Sequence, residues 1–128
     1  TKATNRYFNY IYVRMGAHTL IHKRTEDDIW KNLFELPLVE TEKDLSEEEF
    51  LACPQFHALF AEGEVRMVRT LLRGVKHVLS HRVIYTNFYE VTLPDNSSSF
   101  SSYQRVAVED LDRYAVPRLI HAFLEKYV

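Results

Sequence analysis

Cysteine is nearly absent, Cys53 being the only one in 128 residues. A lone thiol forms no internal disulfide and cannot furnish a cysteine-rich zinc or iron–sulfur site, which fits a reducing, cytoplasmic setting. Glycine (3) and proline (4) are scarce, and no long low-complexity stretch interrupts the chain, so order is expected nearly end to end. No apolar run reaches the length that a bilayer crossing needs, and no signal-peptide pattern opens the sequence. A membrane is therefore not an expected partner. Acid is missing locally. From Arg66 to Arg82 the chain holds Arg66, Arg69, Arg73, Lys76 and Arg82 with His77 and His81 and no carboxylate.

What is present suffices for one core. Apolar residues make up 46% and aromatic residues 13% of the chain, and this length matches a single ordinary domain over residues 1–128. The chain opens on Thr1 in a polar stretch, TKATNRYF, which is the expectation for a domain cut from a longer protein. The formal net charge of −2 argues against a dedicated nucleic-acid binder, but the charges are unevenly placed. The stretch TEKDLSEEE, residues 41–49, carries five carboxylates against one lysine. One segment suits a phosphate backbone and another would face away from it. Ordinary solvated surface explains both equally well.

Between Arg6 and Arg14 the alternation of Tyr7, Asn9, Ile11 and Val13 with Phe8, Tyr10 and Tyr12 predicts a strand partly covered on both faces. A turn at Met15-Gly16-Ala17 and a strand from His18 to Lys23 would complete an antiparallel hairpin. Asp28 to Pro37 follows neither period and reads as a loop leading into a short strand. Ser46 followed by Glu49 is a capping-box pattern, so a helix should start near Glu47 and end or kink before Pro54. A second helical piece over 55–61 is a further expectation. Val65 to Leu72 fits strand and helix equally; Val75 to Leu93 reads as β structure. PDNSSSFSS is a turn-rich loop, and Gln104 to Val108 a short strand. A helical turn over 109–114 precedes a last helix that Pro117 can open. Its stripe of Leu119, Ile120, Phe123, Leu124 and Tyr127 would dock on the sheet. The order of elements predicts an α/β (α+β) fold, a mixed β-sheet sandwiched by helices.

Within RTEDDIWKNLFELP, residues 24–37, the order Trp30, Leu33, Phe34, Glu35, Leu36, Pro37 resembles the lead-in W-x-x-L-[WF]-E-[FL]-P of Nudix domains. The Nudix box that follows in that family binds magnesium through a glycine pair and an Arg-Glu-x-x-x-Glu-Glu helix. Here Leu38-Val39 replaces the glycines, and ACPQFH, residues 52–57, stands where the arginine and glutamates belong. Glu47, Glu48 and Glu49 do not substitute. Consecutive helical residues fan out by about 100° each, whereas a hard cation needs converging oxygens. Two further stretches are similar to the C-terminal domain of MutY-type adenine DNA glycosylases. VKHVLSHRVI, residues 75–84, resembles that family's K-H-x-F-S-H segment, with Leu79 in place of the usual phenylalanine. LDRYAVPRLI, residues 111–120, resembles the entry to its last helix. The resemblance implies a Nudix-like fold that has lost its box.

It also implies a role in contacting 8-oxoguanine mispaired with adenine. Oxidation gives guanine a carbonyl oxygen at C8 and turns N7 from acceptor to donor, where ordinary guanine offers only the N7 acceptor. A serine hydroxyl serves either group, and the backbone N–H beside it is a second donor. By resemblance Ser80 makes this contact, with Leu79 as an apolar wedge or support and His81 orienting the loop or reaching the backbone. Arg73, Lys76 and Arg82 are candidate phosphate contacts that would position without specifying. No residue is expected to act in catalysis or hold a metal. Glycosidic cleavage and the [4Fe–4S] cluster would belong to an N-terminal catalytic domain of the same chain, which with DNA containing 8-oxoguanine:adenine pairs is the expected partner. A cytoplasmic, nucleoid-associated repair protein is the implied setting. Simpler readings stand beside these. Ser80 would be an ordinary turn residue, His77 and His81 packed or solvated, Trp30 and Phe34 core, and Ser97 to Ser102 a flexible loop. The alternatives are an active Nudix pyrophosphatase, or a non-catalytic Nudix-like module for regulation or protein binding.

Overall fold

The computed structural model describes residues 4–128; Thr1, the basis for expecting an excised domain, lies outside them. The first strand, β1 (Thr4–Arg14), forms the spine of the molecule. It pairs in parallel along its whole length with β6 (Arg82–Thr92) and antiparallel with β4 (Leu38–Thr41). On the far side of β6 lies β5 (Met67–Leu79), giving a four-stranded mixed sheet in the order β4-β1-β6-β5. A second sheet, in the order β3-β2-β7, joins β2 (His18–Lys23), β3 (Phe34–Glu35) and β7 (Gln104–Ala107). The expected mixed sheet is thus present, but a small second sheet shares its covering with the helices.

The hairpin expected from β1 and β2 is not formed. After the turn, where Gly16 adopts a φ of 59°, the two strands meet only at the Met15–His18 bridge. β6 takes one edge of β1 along its whole length and β4 takes Tyr7–Tyr10 of the other, while β2 pairs with β3 and β7 instead. Long-range pairing that buries two faces of aromatic side chains outweighs the local turn signal.

Alternation along β1 and β6 sends side chains to two cores. On one face Phe8, Tyr10, Tyr12, Ile84 and Phe88 pack against the second sheet and α3 (Arg118–Tyr127), whose Leu119, Ile120 and Phe123 are buried. Phe88 stacks on Phe123 with centroids 4.1 Å apart. Full burial of each such side chain is worth about 1.5–3 kcal/mol. On the other face Ile11, Val13, Tyr89 and Val91 pack under α1 (Glu47–Ala52) and α2 (Pro54–His57), through Phe50 and Phe56. The capping box is formed: Glu49 N donates to Ser46 Oγ at 3.1 Å, and Ser46 N to Glu49 Oε1 at 3.0 Å. Pro54 separates α1 from α2, and a 3₁₀ helix (Val108–Arg113) occupies the segment expected to make one helical turn. No helix among the described residues is long and apolar enough to cross a membrane.

Candidate functional site

Segment 65–72, where strand and helix were equally compatible, is strand from Met67 onward, and β5 and β6 form one long hairpin. Two residues, Ser80 and His81, connect its paired ends Leu79 and Arg82. The segment that reads as a loop is thus a tight turn between extended strands. Neither turn residue has positive φ, so this is not one of the glycine-dependent mirror-image turns that usually close such hairpins. Thr4 N–H donates to the His81 carbonyl at 3.0 Å and ties the turn to the start of β1. Ser80 and His81 are both exposed, and the Ser80 hydroxyl has no hydrogen-bond partner among the described residues. Leu79 is half-buried and packs on the α3-side core, so the turn projects from a fixed base.

Beneath the hairpin on that side lies Trp30. His77 meets its ring edge-on at 6.0 Å, and Phe8 does so at 5.9 Å. The indole packs against the core, as its lead-in position suggested. Its backbone is unusual: Trp30 and Asn32 have φ values of 58° and 72°, a region that costs a side-chain-bearing residue about 1 kcal/mol or more. Arg24 holds this loop in place, donating from Nε to the Ile29 carbonyl (3.0 Å) and from NH1 to both Glu35 oxygens (3.0 and 3.1 Å).

Glu35 is 2% exposed and also accepts from the Tyr10 hydroxyl at 2.7 Å. Burial, reinforced by the Glu35 charge, holds the Tyr10 hydroxyl well above its ordinary pKa. His22 Nε2 approaches Glu35 at 2.9 Å but without hydrogen-bond geometry. Arg6 closes the network through paired contacts to Asp28 and Glu40. Every carboxylate in it is matched by a cation, so the cluster holds β1, β3, β4 and the Trp30 loop together.

The basic run divides by side-chain direction. Arg69 donates to Glu90 at 2.8 Å. Arg73 is committed to the Tyr89 hydroxyl (2.6 Å) and the Leu45 carbonyl (2.8 Å), with Asp44 at 3.7 Å. It is therefore built into the contact between β5 and the loop before α1. Lys76 and Arg82 are exposed and form no ion pair among the described residues. The structure brings Leu79, Ser80, His81 and Arg82 together at one tip, with Lys76 on the opposite face of the same hairpin and Arg73 further back.

Glu47, Glu48 and Glu49 follow one another in the first turn of α1, and Glu49 is used by the cap. Segment 52–57, ACPQFH, where the resemblance places the box glutamates, contains none, and its Phe56 is buried. No three His, Cys, Asp or Glu side chains among the described residues are grouped to hold a metal ion. Residues 97–99, read as a free loop, are tied down. Their hydroxyls and two backbone N–H groups donate to Glu64, which holds its pKa down at about 2.

A family model described as NUDIX domain matches residues 9–126. No curated protein sequence matches the chain significantly. Among solved structures, the C-terminal domain of mouse MUTYH, determined in complex with human PCNA, superposes with a TM-score of 0.68 at 14% identity, covering 95% of this chain and 86% of that one. The MutT protein of Methanosarcina mazei Go1 gives 0.61 at 16% identity, covering 98% and 94%. The Nudix hydrolase RenU of M. smegmatis gives 0.60 at 8% identity, covering 98% and 84%.

Proposed function

Because the chain belongs to the Nudix domain family yet has ACPQFH, residues 52–57, where the resemblance places that family's arginine and glutamates, we propose that it reads damaged DNA rather than hydrolysing nucleotides. The reading is that of an 8-oxoguanine-contacting domain of an A/G-specific adenine DNA glycosylase. The observation that carries it is the exposed Ser80–His81 turn, whose serine hydroxyl has no partner among the described residues. Likeness to the MUTYH domain agrees with it, but MutT and other Nudix hydrolases share the fold about as well, so fold alone does not separate the two readings. The donor set favours the first, because magnesium-dependent pyrophosphate chemistry needs converging carboxylates.

At the tip, Ser80 Oγ would accept from N7–H of the oxidised purine, and its backbone N–H or hydroxyl would donate toward O8. An undamaged guanine offers neither N7–H nor O8, so the hydroxyl can only turn to donate to N7 and the second contact is lost. Leu79, fastened to the core, fixes the height of the turn, and His81 stands beside it. Arg82 and Lys76 would meet phosphate, whereas Arg73 contributes to folding instead. Adenine excision, with its [4Fe–4S] cluster, belongs in this proposal to an N-terminal catalytic domain of the same protein.

Competition binding at low salt compares duplexes carrying 8-oxoguanine:adenine and guanine:adenine. Ser80→Ala is expected to lower the preference for the oxidised duplex roughly fivefold, the loss of about 1 kcal/mol from one hydrogen bond. An unchanged preference removes Ser80 from the role. Magnesium-dependent turnover of 8-oxo-dGTP by the chain would establish the hydrolase instead.

A further inference from the structure

Among the described residues, one face of the four-stranded sheet is only half covered. At one end Ile11, Val13, Tyr89 and Val91 lie under Phe50 and Phe56. A polar row then crosses the sheet, where Asn87 Nδ2 donates to Asn9 Oδ1 at 3.2 Å and Gly74 N to Asn87 Oδ1 at 2.8 Å. Beyond that row, toward the Ser80–His81 turn, the side chains belong to neither core. Strand register sets Tyr7, Tyr85 and Lys76 side by side, with Val83 and Val78 in the next row toward the turn. The Tyr7 and Tyr85 rings stack with centroids 5.6 Å apart and planes 16° from parallel. Val78 is 65% exposed, although it is apolar.

Charge decides what would cover such a surface. From Val65 to Tyr89 the hairpin contains no Asp or Glu. Asp44, at the polar row, already accepts from Asn87 and lies 3.7 Å from Arg73. A symmetric second copy would bring a second Lys76 to the same contact with no acid from Val65 to Tyr89 of either copy to meet it, so the cation disfavours self-association. Aromatic rings beside a lysine that has no ion pair among the described residues suit a nucleic-acid strand, since every base has a π face and the backbone supplies the anion.

We propose that the bare half of this face binds a stretch of DNA strand, its bases against Tyr7, Tyr85 and the Val78–Val83 pair and a phosphate on Lys76. It rests on the DNA reading above and assigns it a second contact that is indifferent to oxidation. The turn specifies; this face adds affinity for any sequence.

Fluorescence anisotropy on the whole chain tests it, with a labelled single-stranded oligonucleotide and with duplexes holding 8-oxoguanine:adenine or guanine:adenine. Tyr85→Leu is expected to weaken all three roughly tenfold, as for one lost stacked base, with the preference between the duplexes unchanged. Tyr85→Phe keeps the ring and should bind as the parent does. Lys76→Glu alters an exposed position, and should weaken binding most at low salt and flatten the salt dependence by about one unit of slope. Wild-type affinity in both Tyr85→Leu and Lys76→Glu overturns the proposal, as does failure of the parent chain to bind any of the three probes at low salt. Sedimentation showing a dimer that Tyr85→Leu dissociates would give the face to a second copy and overturn it too. The two readings come apart cleanly. If Ser80→Ala leaves the preference intact while Tyr85→Leu weakens binding, the turn loses its role and the face keeps its own.

Discussion

Glu35 illustrates how far a single side chain can be read from its neighbours in sequence. Its place in the Trp30–Pro37 lead-in is visible without coordinates, but its partners are Tyr10 on β1 and Arg24 before the turn. A carboxylate this deeply buried is tolerable because Arg24, itself only 10% exposed along its side chain, neutralises it. Glu35→Ala would leave the Arg24 guanidinium with Asp28 as its one carboxylate partner and take the acceptor from the buried Tyr10 hydroxyl, and chemical denaturation should register a loss of about 3 kcal/mol. Ser80 is the opposite case: its residue type and flanking motif single it out, and the structure adds that its hydroxyl is exposed and without a partner among the described residues. Arg73 shows the limit of reading cations from their order along the chain. Nothing in its immediate neighbours announces the Tyr89 hydroxyl or the Leu45 carbonyl that engage it.

At the level of elements, signals that act within a few residues are legible. Ser46 and Glu49 mark the start of α1, and Pro54 marks its end, because caps and prolines act on the backbone next to them. Ser46→Ala should cost about 1 kcal/mol in thermal or denaturant unfolding, through loss of the hydroxyl that accepts from Glu49 N. The stripe of α3 is equally plain, since helical spacing alone aligns Leu119, Ile120 and Phe123. The β1–β2 hairpin does not form because a turn signal says where a chain reverses, not which strand it will pair with. β5 is ambiguous for a related reason. Its bulges between Thr70 and Val75 break the alternation, and Gly74 at a φ of 70° accommodates the extra residues. Period two is restored only beyond Val75, where β structure is expected.

Across the whole molecule, ion pairs join segments distant in the chain, and their effect should appear in acid. Hydrogen bonds from Arg6 hold Asp28 down from an ordinary 3.8 to about 2. Those from Ser97 and Ser99 do the same for Glu64, from 4.5 to about 2. A carboxyl whose folded pKa lies below its unfolded one adds stability that is complete above the unfolded value and vanishes as pH falls through the folded value. Thermal unfolding followed by circular dichroism should therefore show the melting temperature declining as pH falls from about 4.5 to about 2. Glu64→Gln should be less stable than the parent at neutral pH and converge with it near pH 2. Composition and local pattern are enough to establish a mixed α+β fold and both ends of α1, and family resemblance marks the Nudix lead-in. These follow from covalent neighbours and periodicity, which the chain carries wherever it goes. That Arg73 is consumed internally depends on the pairing of β5 with β6 and the loop before α1, and that Tyr7 stacks on Tyr85 despite their distance in sequence depends on the parallel register of β1 with β6. That register is set by competition among buried faces of the entire chain, and no short window contains it.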